Sequence, residues 1–245
     1  MAVARIEGIV LSETNYSESS KILNVLTEEG TIGVLAKGCR SLKSPLRSVS
    51  AKLSYGIFHI YRKEKGLSTL TSVDVLNPFL KMRSDIVKIS YASFLLELAN
   101  QVERQTESSK NIYQILIAAL KKIEEGFDPE VITTIVELKY LEELGVKPEI
   151  DCCSVCGSPH AIVTVDVTKG GYVCQNCYHH EKIYSNKMIT LIRMLYYVDL
   201  NKISKLIVRP SVKQELKEFI DQYYDRYTGL YLKSKQFIEN LSKIR

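Results

Sequence analysis

The sequence predicts an α+β protein: an N-terminal five-stranded OB-like β-barrel, a helical bundle, and a four-cysteine ribbon inserted into that bundle. Three observations carry this. Five short runs rich in β-branched residues crowd the stretch before Pro78, the apolar period then changes from two to about 3.6, and four cysteines stand further on in two C-x2-C pairs. At 245 residues with 45% hydrophobic content, the chain can bury a sizeable core. The expected division is a barrel over 1–80, helices over 81–148, the ribbon over 149–182 and further helices over 183–245.

The five runs are RIEGIVLS, KILNVL, TIGVLA, LSYGIFHIY and LSTLTSVDVL, punctuated or bent by Gly30, Gly33, Gly38, Gly56 and Gly66. In the fourth, Leu53, Tyr55, Ile57, His59 and Tyr61 share one face, and Ser54, Gly56, Phe58 and Ile60 share the other. Both faces are partly apolar, as a small closed barrel allows. There is no room for crossover helices, which favours an OB-like barrel over a parallel sheet. Periodicity leaves the strand order open.

Lys+Arg 33 against Asp+Glu 28 gives a net charge of only +5, so the distribution of charge says more than its sum. Between Lys37 and Lys65 the cations Lys37, Arg40, Lys43, Arg47, Lys52, Arg62, Lys63 and Lys65 face one acid, Glu64. The loop AKGCRSLKSPLRSVSAK reads as mobile and solvated, able to follow a phosphate backbone. Tyr55, Phe58 and Tyr61 beside it offer ring faces on which bases could stack. A solubilising loop and core aromatics are the plain alternatives, and most strand aromatics are core. Cys39 reads as a small, half-buried residue.

After Pro78, Val87, Tyr91, Phe94, Leu95, Leu98 and Val102 fall on one helical face, and Ile112, Ile115, Leu116, Ala119, Leu120 and Ile123 on a second. A third helix has Asp128 as N-cap, Pro129 at its first position and Gly145 as its stop. Glu137, Glu142 and Glu143 read as a solvated face, since nothing near them supplies a nucleophile or a metal. KMITLIRMLYYVDL and PSVKQELKEFIDQYYDRYTGLYLKSKQFIENL read as two or three more helices, with Tyr223, Tyr224, Tyr227 and Tyr231 on a core face. Lys202, Lys205, Arg209, Lys213 and Lys217 read as a solvated basic face.

The ribbon spans Asp151 to His180. Cys153 and Cys156 form one pair and Cys174 and Cys177 the other, seventeen residues apart, which is the spacing of a four-thiolate zinc site. Each pair brackets a tight turn, Gly157, Gly170 and Gly171 suit such turns, and AIVTVDV between them alternates like a strand. Four thiolates close the coordination shell, so one structural zinc is expected rather than a catalytic one. Cys152, His160, His179 and His180 could substitute as ligands, but none is needed. The opening MAVARIEG carries charges and no apolar h-region, and no apolar run reaches the ~18 residues of a membrane span. The expectation is a cytoplasmic protein with reduced thiols and no membrane partner.

Three segments resemble one family. GIVLSETNYSESSKILNVLTEEGTIGVLAKGCR, with Tyr16, Glu18, Thr27, Gly30 and the AKG-x-R segment, is followed in order by LEELGVKPEIDCCSVCG leading to GGYVCQNC, and by LYLKSKQFIENL. Together they are similar to RecO, the bacterial DNA repair and recombination mediator family, across essentially the whole chain. Cys39 departs from that pattern, where another small residue is expected, and the zinc cysteines are not universal in the family.

The resemblance implies a nucleoid-associated, non-enzymatic protein that binds single- and double-stranded DNA and anneals complementary strands. It also implies contacts with the acidic C-terminal tail of single-strand binding protein and with RecR, in support of loading the recombinase RecA. The helical bundle is the expected seat of that tail, in a groove with an apolar floor and a basic rim. The residues themselves support DNA binding through the basic loop, and the chain has no G-x-x-x-x-G-K-[ST] phosphate loop. Two other classes stay open: a zinc-ribbon RNA-processing enzyme, which needs clustered carboxylates or a nucleophile and base, and a DNA-binding regulator, which needs a base-reading helix.

Overall fold

In a computed structural model, which describes residues 2–63 and 66–243, the first five strands close into a barrel. They are β1 (Ala2–Tyr16), β2 (Ser20–Thr27), β3 (Gly30–Ala36), β4 (Tyr55–Arg62) and β5 (Ser68–Asn77), joined in the order β1-β2-β3-β5-β4 with β4 returning to β1. All pairings are antiparallel except β3 with β5. Closure depends on the length of β1: its first half, from Ala2 to Ile9, pairs with β4, and its second half, from Ile9 to Tyr16, pairs with β2. One strand thus serves both sides, and the ring closes through a short parallel contact of two residue pairs, Val34 with Ser68 and Leu35 with Thr69.

Where β1 changes partners, Gly8 faces Gly56. A Cβ on Gly8 would sit 2.7 Å from Val25 Cγ1, and one on Gly56 would sit 2.4 Å from the Asp74 carbonyl oxygen, so neither position has room for a side chain. Alternation turns Val10, Leu23, Val25, Val34, Phe58, Ile60 and Leu70 into the barrel interior.

The segment between β3 and β4 differs from the mobile, solvated loop the sequence suggested. It is a chain of short turns, with Ser41 N donating to Gly38 O (3.2 Å), Ser44 N to Ser41 O (3.1 Å), Arg47 N to Ser44 O (3.2 Å) and Ser50 N to Leu46 O (3.0 Å). Cys39 is 1% exposed within the barrel core, Leu46 packs against that core, and Leu53 is buried. Leu53 N and Ser54 O bond the two polar groups of Val10, stitching the segment to β1. Cys39 is therefore fully buried rather than half-buried: the loop folds inward to close an end that open barrel geometry would leave wet.

The remaining elements are α1 (Leu80–Arg83), α2 (Ile86–Glu103), α3 (Ser109–Glu125), α4 (Pro129–Glu143), β6 (Ile162–Asp166), β7 (Gly171–Cys174), α5 (Asn186–Tyr197), α6 (Pro210–Tyr227) and α7 (Lys233–Lys243). Their starts follow local chemistry. Asp85 accepts from Val87 N and Lys88 N, Asp128 from Glu130 N, and Ser185 from Met188 N. At the end of α4, Gly145 takes φ 72°, Gly145 N bonds Glu142 O and Val146 N bonds Leu141 O, which satisfies carbonyls the helix leaves open.

The chain forms two compact units, Met1–Leu120 with Leu232–Arg245, and Lys121–Tyr231. In the first, α2 and α7 pack with the barrel. The start of α7 is held by Glu97, which accepts from Lys233 N (3.1 Å), Ser234 N (2.9 Å) and the Ser234 hydroxyl. In the second, α4, α5 and α6 pack together with the β6–β7 hairpin. Tyr223 and Tyr224 are buried there as expected, but Tyr231 lies 67% exposed, past the end of the helix that carries the other three.

Burial pushes the Glu97 carboxyl up, but its bonds from Ser234 and Lys233 and the nearby Lys52 charge outweigh this and hold it below the usual range. A carboxylate held low stabilises the docked helix above the ordinary value near ~4.3, and that contribution is lost as pH falls through the lower folded value. Amide exchange in α7, taken relative to the intrinsic rate at each pH, should therefore speed up on acidification in the native protein. In Glu97→Gln it should already be fast at pH 7, and equal protection of the two proteins at pH 7 would refute the docking role.

Candidate metal centre and nucleic-acid interface

The β6–β7 hairpin brings the two cysteine pairs together. Gly157 N donates to Cys153 O (2.8 Å) in the first turn, with Gly157 at φ 74°, and a short 3-10 turn over Gln175–Cys177 carries the second pair. The four sulfurs of Cys153, Cys156, Cys174 and Cys177 lie within 4.8 Å of one another, and those of Cys156 and Cys174 are 3.7 Å apart. Metal–sulfur bonds of about 2.3 Å in a tetrahedron place sulfurs ~3.8 Å apart, so this cluster fits a zinc site. Cys152, His160, His179 and His180 stay outside the cluster.

Around the cluster, burial pushes the Cys153 thiol up, but backbone N–H groups of Cys174, Cys156 and Val155 directed at its sulfur bring it down to about 6. Cys177 goes the other way: the Cys156 sulfur beside it, followed by burial, pushes it up to about 12. Lys169 ties the second turn, donating to Cys177 O (2.8 Å) and pairing with Glu181. On the entry side, Glu149 bonds both Gly170 O and Tyr172 N, an approach so close that a Cβ on Gly171 would lie 2.1 Å from Glu149 O. Asp151 then accepts from Arg193 Nε (2.9 Å) and the Tyr197 hydroxyl (2.5 Å) on α5. Sequence reading missed this clamp because its partners are more than forty residues away and carry no local pattern.

The cations expected to meet phosphate divide into several settings. Lys37, Arg40, Lys43 and Arg47 project outward from the pinned turns. Arg40 also spans the β1–β2 turn, its N bonding Ser19 O and its Nη1 bonding Ser17 O. Lys52 is turned in: its Nζ donates to Ser93 O (3.2 Å), its N to Glu13 Oε2 (2.6 Å), and burial pushes its pKa down. Arg62, the last residue of β4, and Lys63 just past it are exposed, and Arg62 lines a cavity of about 420 Å³ together with Arg5 and with Glu7, Glu28 and Glu29, which oppose the two positive charges. Lys65 lies outside the described residues.

Register relates these groups. Leu35 is paired with Thr69 and Thr69 with Tyr61, so the loop leaves the barrel about two strand spacings, ~10 Å, from the end of β4. It re-enters at Tyr55, which is ~23 Å along β4 from Arg62 at ~3.3 Å per residue. The cations thus form a band across the barrel rather than one cluster.

Of the three rings, Phe58 fills the core, and Tyr55 is buried against Phe79 with its hydroxyl on Glu7 (2.6 Å). Tyr61, 44% exposed opposite Val3, is the one left with a free face.

In the second unit, Leu191 and Met194 of α5, the extended residues Ile207 and Val208, and Val212 of α6 line a groove of about 540 Å³. Lys187 and Arg209, both exposed, also line it. The signal in the sequence was faint: Met194 lies off the stripe of Met188, Ile192 and Leu195 by which α5 is buried.

A closed five-stranded barrel followed by helices and a hairpin whose four clustered cysteines could hold a metal ion defines an α+β protein with a barrel module and a helical module. Family models for the N-terminal and C-terminal parts of recombination protein O match residues 1–79 and 83–236. Proteins named DNA repair protein RecO are similar over almost the full length. That of Bacillus pumilus is 35% identical over 98% of this chain and 94% of its own, that of Halalkalibacterium halodurans 34% over 98% and 96%, and that of Bacillus subtilis 33% over 99% and 96%. The chain belongs to the RecO family of DNA repair proteins. Among the described residues, no helix is long and apolar enough to cross a membrane.

Replacing one ligand tests the metal centre. Cys174→Ser should lose the metal, and the β6–β7 hairpin should become protease-sensitive, because the binding energy of a closed site is folding energy. Elemental analysis giving full occupancy in that variant would remove Cys174 from the ligand set.

Proposed function

We propose that this protein acts in recombinational repair by holding DNA, single- and double-stranded, on the barrel, annealing complementary strands and assisting recombinase loading on strands coated by single-strand binding protein. The observation that carries this reading is the set of outward cations Lys37, Arg40, Lys43 and Arg47 on turns fixed to a closed barrel. Fixed cations meet phosphates without the entropy cost of ordering a loose loop. Phosphate neutralisation lets two strands approach, so annealing requires no bond to be made or broken. Arg62 and Lys63, with Lys65, extend the path. The four cysteines hold one structural zinc, the ion that four thiolates with these spacings favour.

The groove between α5 and α6 is the proposed seat of the acidic, aromatic-ended tail of single-strand binding protein. Its apolar floor suits the tail's ring, and Lys187 and Arg209 suit its carboxylates. RecR is the proposed protein partner, by family membership. Full-length protein bearing Lys187→Glu and Arg209→Glu should bind a labelled tail peptide at least tenfold more weakly, and undiminished binding would move the tail elsewhere.

If about five cations meet phosphates, the logarithm of affinity for single strands should fall against that of salt with a slope near −3.5, at ~0.7 per contact. Changing Arg40, Lys43 and Arg47 together to Gln should flatten the slope to about −1.4 and weaken unrelated sequences alike, because phosphate contacts do not read bases. Titrations over a salt series measure this, and an unchanged slope would place DNA on another surface.

A further inference from the structure

Leu42 sits in the middle of the cationic turns and is 84% exposed. Its neighbours in the same segment do the opposite: Cys39 and Leu53 are buried and Leu46 packs on the barrel core. The exposure is fixed by the backbone. Ser41 N is bonded to Gly38 O, Ser44 N to Ser41 O, and Arg40 N to Ser19 O, so hydrogen bonds hold the chain on both sides of Leu42. Arg40, Lys43 and Arg47, its near neighbours along the chain, are exposed as well.

We propose that Leu42 is a wedge that lays its aliphatic side chain against, or between, the bases of a single strand whose phosphates meet Arg40, Lys43 and Arg47. This rests on the reading of the loop as a DNA surface and goes beyond it, because a cation contacts only the backbone. Isolated apolar side chains on a surface are common and need no ligand. Leu42 differs in that hydrogen-bonded turns on either side hold it exposed, between exposed cations along the chain, and exposed apolar side chains of DNA-binding proteins can wedge between base steps. Every base offers an apolar face, so the contact tolerates any sequence. A strand whose bases are prised apart keeps fewer hairpins, and its bases are open to pair with a complement.

The test uses full-length protein and a single strand with one 2-aminopurine, read by anisotropy for affinity and by fluorescence for unstacking, over a salt series. Wild type should raise the 2-aminopurine signal on binding. Leu42→Ala should abolish that rise and weaken binding about fivefold with the salt slope unchanged, since no phosphate contact is lost. Leu42→Phe should keep the rise. The side chain's exposure makes both variants harmless to folding, which equal melting temperatures would verify.

A wild-type rise and affinity in Leu42→Ala, alongside a flattened slope in the triple Gln variant, would overturn the wedge and leave the DNA surface standing. An unchanged slope in the triple variant would overturn both. Binding to anionic phospholipid vesicles that Leu42→Ala loses, with strand binding intact, would assign the side chain to a lipid surface and overturn the wedge as well.

Discussion

The pairing of β1 with both β2 and β4 is the constraint on which the barrel unit rests. It joins the two ends of the five-stranded sheet and brings Val10 to the place where Leu53 and Ser54 tie the loop segment back onto the barrel. With Cys39 and Leu46 drawn into that closure, the residues between and after them, Arg40, Leu42, Lys43 and Arg47, have only outward directions left. The bare positions at Gly8 and Gly56 are the local condition for the closure, because a side chain at either would meet a neighbouring strand.

The second unit solves a different problem. A two-stranded hairpin is marginal alone, and here it is secured from several sides. Four sulfurs converge, Glu149 adds a short third pairing beside β7, and Asp151 clamps the entry to Arg193 and Tyr197. Backbone N–H groups of Cys174, Cys156 and Val155 are directed at the Cys153 sulfur, which ties both turns of the hairpin to one point. The hairpin is thereby held to α5, the helix that also forms one wall of the apolar groove.

Counting charges overstates a binding surface. Lys52 belongs to the same run as Arg47, yet it is spent on Ser93 O and the fields of Glu13 and Glu97, and Arg62 shares its cavity with three glutamates. The cations that remain outward and unopposed are those the turns hold away from the helices. The same turns that make the loop rigid also decide which of its charges are available.

Features set by neighbours along the chain were legible in the sequence. The five strands follow from period-two runs, the caps at Asp128 and Gly145 from their own backbone preferences, and the convergence of the four cysteines from the two-residue spacing that aims paired sulfurs at one point. Features set by distant pairing were not. The strand order, the burial of Phe58 and Tyr55, the inward turn of Lys52 and Cys39, the Asp151 clamp and the groove at Met194 and Ile207 all depend on which element comes to lie beside which. Periodicity assigns a residue to a face, but only the closed barrel and the packed helices decide whether that face looks at water or at another part of the chain.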